Sequence, residues 1–203
     1  MRIGVLGTGT VGRALAGKLR ELGHDVVVGS RVAGDDAQPF ADAAAHGELI
    51  VNATNGAYAL DTLAQAGAEN LRGKILVDVT NPLDFSRGRP PTLSVCNDDS
   101  LAEQIQRANP EVRVVKTLNT VNANVMVEPS LVPGEHNLFV SGDDADAKAE
   151  VVDLLESFGW QRDLILDLGD ITTARGPEMY LPLWLRLFGA VAAPNFNIHV
   201  VRG

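Results

Sequence analysis

The stretch RIGVLGTGTVGRALAGKLRELGHDVVVGSR, residues 2–31, decides the fold. It opens on a short apolar run (2–7) that reads as a buried strand. Gly7, Gly9 and Gly12 follow in G-x-G-x-x-G spacing. A helical pattern over 11–22 then sets Val11, Leu15, Leu19 and Leu22 on one face. A second apolar run, 24–30, reads as the next strand. Glycine triplets are common by chance. Placed between a strand and a helix in a unit of about 30 residues, this one gives the dinucleotide-binding arrangement. Gly7 permits the tight turn, Gly9 lets the backbone approach a pyrophosphate, and Gly12 lets the helix pack on the sheet. The helix start adds unpaired N–H groups and a positive dipole end. Gly7, Thr8, Gly9, Thr10, Val11 and Gly12 are therefore expected to hold the pyrophosphate.

The second strand of such a unit ends beside the adenosine ribose. An acidic residue there binds a free 2′-hydroxyl and selects NAD. This chain instead has Gly29-Ser30-Arg31. A hydroxyl can donate to a phosphate, and a guanidinium can grip it through two parallel bonds. Ser30 and Arg31, helped by Thr8, are expected to select NADP over NAD.

Beyond residue 31, short apolar runs alternate with helical patterns. Strands are expected at 48–54, 74–82, 111–119, 136–142 and 163–169, with a tail strand at 196–202. Helices are expected at 35–46, 57–67, 100–108, 144–159 and about 171–190, and residues 83–99 read as a long loop. Uniformly apolar strands alternating with helices imply a parallel sheet covered on both faces. The expected fold is α/β: a Rossmann-like, doubly wound, mostly parallel sheet with a small C-terminal helical and strand extension. The expected division is a dinucleotide-binding domain over 1–160 and an extension over 161–203.

With 203 residues and a formal net charge of -9, the chain is a poor candidate for binding nucleic acid or an anionic membrane. The apolar stretch 180–193 is too short to span a bilayer and contains Pro182 and Arg186. The N-terminus lacks the pattern of a secretory signal. One cysteine, Cys96, allows no intrachain disulfide and suits a reducing cytoplasm. His24, His46, His136 and His199 stand in no metal-ligand pair, and the acids of 142–147 suit a helix start. No metal is expected.

Open α/β sheets bind ligands at the carboxyl ends of their strands. Those ends read NATNG (52–56), VTNPLD (79–84) and TLNTVNA (117–123). Neutral amides and hydroxyls there can hold a carboxamide, a ribose or a ring carbonyl. Ala53, Thr54, Asn55 and Asn81 are read as further cofactor contacts. Asn and Thr also favour turns and caps, so any one of them could be structural.

Residues 1–31, LFVSGDDADAKAEVVDLLESFGW (138–160) and, in pattern, EMYLPLWLRLFG (178–189) resemble the NADP oxidoreductases that use the deazaflavin coenzyme F(420). The resemblance implies hydride transfer between NADP(H) and a flat deazaflavin or flavin acceptor. It also implies a C-terminal part that closes the cleft, and a homodimer. Asn119 and Thr120 would then face the acceptor as catalytic residues. The chain departs from the family at Asn119, where the reductases carry a histidine, and at 32–38, where an acidic segment replaces further basic residues. Two other readings stay open: reduction of a small imine or carbonyl compound, and a non-catalytic NADP(H) sensor.

Overall fold

The computed structural model of the chain describes residues 1–32, 34 and 36–203. In chain order the strands are β1 (Arg2–Leu6), β2 (Asp25–Ser30), β3 (Gln38–Pro39), β4 (Leu49–Asn52), β5 (Ile75–Asp78), β6 (Leu83–Asp84), β7 (Thr92–Leu93), β8 (Arg113–Thr117), β9 (Leu138–Ser141) and β10 (Ile165–Asp167). The helices are α1 (Thr10–Glu21), α2 (Phe40–His46), α3 (Ala59–Ala66), α4 (Ala68–Leu71), α5 (Leu101–Ala108), α6 (Ala123–Val127), α7 (Ala145–Ser157), α8 (Arg175–Met179) and α9 (Leu181–Val191).

Eight strands form one sheet in the order β10-β9-β8-β5-β4-β1-β2-β3. The pairings from β3 to β8 are parallel. The β8–β9 pair is antiparallel, and β10 lies parallel to β9. Strand pleating divides the core into two layers. Ile3, Val5, Val26, Val28, Val51 and Val77 pack with Leu15 and Leu19 of α1 and Val151 and Leu155 of α7. Leu6, Ile50, Leu76 and Val114 point the other way, against Phe40 of α2, Leu63 of α3 and Ile105 of α5. The expected doubly wound fold is therefore present, with β10 of the C-terminal segment completing the sheet.

Several local expectations need correction. Residues 196–202 form no strand. They are tacked to Asn137, whose N–H donates to the Ile198 carbonyl at 2.9 Å and whose side-chain oxygen accepts from the Val200 N–H at 2.7 Å. The helix expected over 35–46 begins at Phe40, after the short strand β3; its first residue, Asp35, lies outside the described residues. The loop 83–99 holds the β6–β7 hairpin. The closing helix is divided: a 3-10 turn at Ile171–Ala174, then α8, then α9. Pro177 and Pro182 lack the N–H groups that a continuous helix would need there. His136 lies buried, its ring edge-on to Trp160 at 5.2 Å. At two helix starts a side chain acts on nearby backbone. Ser100 caps α5 by accepting from the Glu103 N–H, and Asp144 caps α7 by accepting from the Ala147 N–H.

Candidate functional site

The turn from β1 into α1 is shaped by what its glycines lack. Gly7 has φ +118°, and a Cβ there would lie 2.6 Å from the Ala53 carbonyl oxygen. A Cβ on Gly12 would lie 2.0 Å from the Gly7 carbonyl oxygen. Among the described residues a Cβ on Gly9 would meet nothing within 4 Å, so they leave this part of the loop open. Among the described residues no side chain caps α1, whose first N–H groups have no partner within the helix. Thr8, Gly9 and Thr10 are exposed. Free donors, a helix start and an unobstructed approach are what a pyrophosphate needs, so the chain's own residues fit a dinucleotide here.

At the end of β2 the two selector residues behave differently. The Ser30 hydroxyl donates to the Val32 carbonyl at 2.6 Å and accepts from the Val32 N–H at 3.1 Å. Its proton is engaged in the turn. Arg31 is exposed, its guanidinium 5.0 Å from the centre of the Tyr58 ring. Tyr58 ends a 3-10 turn, Gly56–Tyr58, that Asn55 caps by accepting from the Ala57 N–H.

Next to the glycine turn is a cavity of about 190 Å³. Val11, Ala53 and Val79 supply apolar wall, and Thr54, Asn55, Thr80 and Asn81 supply its polar rim. The sequence-derived residues Val11, Ala53, Thr54, Asn55 and Asn81 thus meet around one space. Thr8 faces a separate groove beside β2. Asn119 is buried and donates to Asn81 Oδ1 at 2.9 Å and to the Pro177 carbonyl at 3.0 Å. Asn81 Nδ2 donates back to the Asn119 carbonyl at 3.1 Å. Both amide hydrogens of Asn119 are occupied, and its visible effect is to orient Asn81. Thr120 is buried beside it, its hydroxyl without a hydrogen-bond partner among the described residues.

Beneath this rim lies a charged row that the sequence reading missed. Asn52, Asp78 and Lys116 stand in register as neighbours across β4, β5 and β8. Lys116 Nζ lies 2.8 Å from Asp78 Oδ2 and 2.8 Å from Glu178 Oε1, with all three side chains removed from solvent. It also donates to the Thr80 carbonyl at 2.6 Å. Burial alone would lower the Lys116 pKa; the carboxylates of Asp78 and Glu178 outweigh it and raise the value. Glu178 further accepts from the Leu101 and Ala102 N–H groups at the start of α5, at 2.7 and 3.0 Å. Upward from Asp78 the chain of bonds reaches the rim. Asn52 Nδ2 donates to Asp78 at 3.1 Å, Thr54 Oγ1 to Asn52 at 2.7 Å, and Thr80 Oγ1 to Asp78 at 2.9 Å. The available signal was an ionisable residue at or next to the end of a largely apolar strand, Asp78 in ILVD and Lys116 in RVVKT.

Among the described residues, no group of three or more His, Cys, Asp and Glu side chains is placed to hold a metal. No described helix is long and apolar enough to cross a membrane.

A doubly wound sheet, a glycine turn with open N–H donors and an adjoining strand-end cavity define a protein of the Rossmann-type dinucleotide-binding class. The family model "NADP oxidoreductase coenzyme F(420)-dependent" matches residues 2–82. A crystal structure of a candidate F(420)-dependent NADP-reductase from Arthrobacter sp. FB24 is 54% identical, covers 100% of both chains and superposes with a TM-score of 0.95. The F(420)-dependent NADP reductase of Methanothermobacter marburgensis is 28% identical over 92% of this chain and 92% of its own. The metalloreductase STEAP3 of Rattus norvegicus is 30% identical over 96% of this chain, which spans only 41% of that longer protein. The chain belongs to the coenzyme F(420)-dependent NADP oxidoreductase family.

Proposed function

We infer that the protein transfers hydride between NADP(H) and a flat deazaflavin of the coenzyme F(420) type. The supporting observation is the lining of the 190 Å³ cavity, in which no titratable side chain stands among the described residues. The nicotinamide, when bound, supplies or receives the hydride. Hydride transfer between two such carriers asks chiefly for positioning. A deazaflavin takes up its proton at a ring nitrogen away from the carbon that receives the hydride, where solvent can supply it. An imine or carbonyl needs its proton at the atom next to that carbon, and this lining offers no titratable donor. The backbone of residues 7–12 would hold the pyrophosphate. Arg31 would hold the 2′-phosphate, with Ser30 assisting once its hydroxyl leaves the Val32 turn. Thr54, Asn55 and Asn81 would orient neutral polar groups in the cavity. Asn119 would fix the Asn81 amide, and Thr120 would offer its unpaired hydroxyl on the acceptor side.

The same reading includes a homodimer and a C-terminal segment, 161–203, that closes the cleft. Leu183, Phe188 and Val191 of α9 are exposed, and a second copy would cover them. A reducing cytoplasm suits the exposed, unpaired Cys96.

Stopped-flow oxidation of NADPH with coenzyme F(420), with a flavin and with no acceptor tests the proposal. Rapid oxidation with the deazaflavin is the expected result. Tight NADPH binding with no turnover on any acceptor would instead leave a sensor. Arg31→Ala should weaken NADPH about 10- to 100-fold while NADH changes little, because hydrogen bonds to a charged group contribute about 1.5–3 kcal/mol.

A further inference from the structure

We propose that Arg13, on the first turns of α1, supplies a second cation to the 2′-phosphate of NADP(H). The inference rests on the NADP reading above and extends it to a residue outside both the glycine motif and the Gly-Ser-Arg selector.

The selector alone is thinly equipped for a dianion on a chain with a formal net charge of -9. The Ser30 proton is given to the Val32 carbonyl, and Arg31 lies over Tyr58. No Lys or Arg follows Arg31 before residue 39, and Asp35 and Asp36 stand in that interval.

Arg13 is placed to make up the difference. Its backbone N–H donates to the Gly9 carbonyl at 3.0 Å, so the residue sits one turn into α1. Side chains on a helix lean toward its N-terminus, which directs this guanidinium back toward the glycine loop. Arg13 lines a groove of about 630 Å³ together with Thr8 of the loop and Gln38 of β3. Val26, Val27 and Val28 of β2 also line it, one residue short of the Gly29-Ser30-Arg31 end that lies beside the adenosine ribose in this fold. Arg20 borders the same groove but donates to the Val26 carbonyl at 3.2 Å, near the opposite end of the strand. Arg31 leans toward Tyr58, ahead of α3 in one layer, and Arg13 belongs to α1 in the other. Arg13 therefore lies in the layer on the opposite side of the sheet from Tyr58. Asp36 also borders the groove and opposes an anion there.

Calorimetric titration with 2′,5′-ADP and 5′-AMP isolates the ribose phosphate from the nicotinamide end. The wild type should prefer 2′,5′-ADP. Arg13→Ala should weaken 2′,5′-ADP about tenfold, in the range of a charge-assisted hydrogen bond, and leave 5′-AMP unchanged. The loss should shrink as salt is raised. Asp36→Asn should tighten 2′,5′-ADP a few-fold, by about what removing one exposed like charge gives. Alanine at position 13 favours the helix, so the variant remains folded. A wild-type preference that Arg31→Ala abolishes and Arg13→Ala leaves intact would overturn the role of Arg13 alone. A wild type that binds both nucleotides alike would overturn the NADP reading itself, and this inference with it.

Discussion

The glycine turn between β1 and α1 and the Asp78–Lys116–Glu178 cluster lie along the same edge of the sheet, yet they handle charge in opposite ways. The turn leaves backbone N–H groups unpaired and open to solvent, with no side chain capping the helix. It is preorganised for a charge that arrives from outside. The cluster buries one ammonium and two carboxylates, and it satisfies them internally through the Thr80 carbonyl, Asn52, and the Leu101 and Ala102 N–H groups. It carries its own charge and offers none to a ligand. Between them stands a rim of neutral amides and hydroxyls whose geometry derives from both. Val11 comes from the turn, while Thr54, Thr80 and Asn81 are held from below. The contrast separates two uses of polarity: unpaired donors recognise, and fully paired ions position.

The largest effect should come from breaking the paired side. Lys116→Met leaves two buried carboxylates without their cation and should cost about 3–5 kcal/mol in urea denaturation. Replacing Lys116, Asp78 and Glu178 together by apolar residues should recover part of that loss. Recovery will stay incomplete, because Glu178 also serves the start of α5. A Lys116→Met protein as stable as wild type would show that the cluster does not position the rim.

The open side should respond differently. Gly12→Ala drives a Cβ to 2.0 Å from the Gly7 carbonyl oxygen, so it should lower stability by about 1–3 kcal/mol and weaken NADPH as the turn shifts. Gly9→Ala meets nothing within 4 Å, so its melting temperature should match wild type while NADPH affinity falls. Equal effects of the two substitutions on stability would erase the distinction between packing and recognition glycines.

Asn119 joins the two regions, and Asn119→Ala should cost about 1–2 kcal/mol by leaving Asn81 and the Pro177 carbonyl unpaired. If Asn119 only orients Asn81, Asn81→Ala and the double variant should show the same turnover loss as Asn119→Ala. Additive losses would give Asn119 a contact of its own with the acceptor.

The smallest effect concerns pH. The Arg175 guanidinium holds the Glu103 carboxyl below the usual carboxylate range, against the opposing pull of burial. Its folded value is depressed, so its stabilisation is complete above the ordinary Glu value and fades as pH falls through the lowered one. Urea midpoints for wild type and Glu103→Gln should differ at neutral pH and converge in acid. A constant gap across that range would remove the pair from the acid response.

What could be read from the chain follows the range of each interaction. The turn at residues 7–12 and the acid-rich start of α7 were legible because each acts within a few residues. So were the apolar strands, whose pattern implies burial on both faces. The Asn55 cap shows the ambiguity of such residues, since the same side chain borders the cavity and ties down a turn. The tail at 196–202 was misread because an apolar run specifies burial but not a ladder partner. Position 119 offered only its residue type, and its partners lie 38 and 58 positions away.

By itself, then, the sequence determined a doubly wound sheet, a glycine turn into a helix and a cation past the second strand. These depend on backbone conformation and short-range donors. Tertiary structure alone decided that Lys116 would meet Asp78 and Glu178, that Asn119 would serve Asn81, and that Arg13 would share a groove with Thr8 and Gln38. Strand register and helix packing set those neighbours. A buried charge is tolerable only where register brings its partner within hydrogen-bond reach, and no local pattern records that distance.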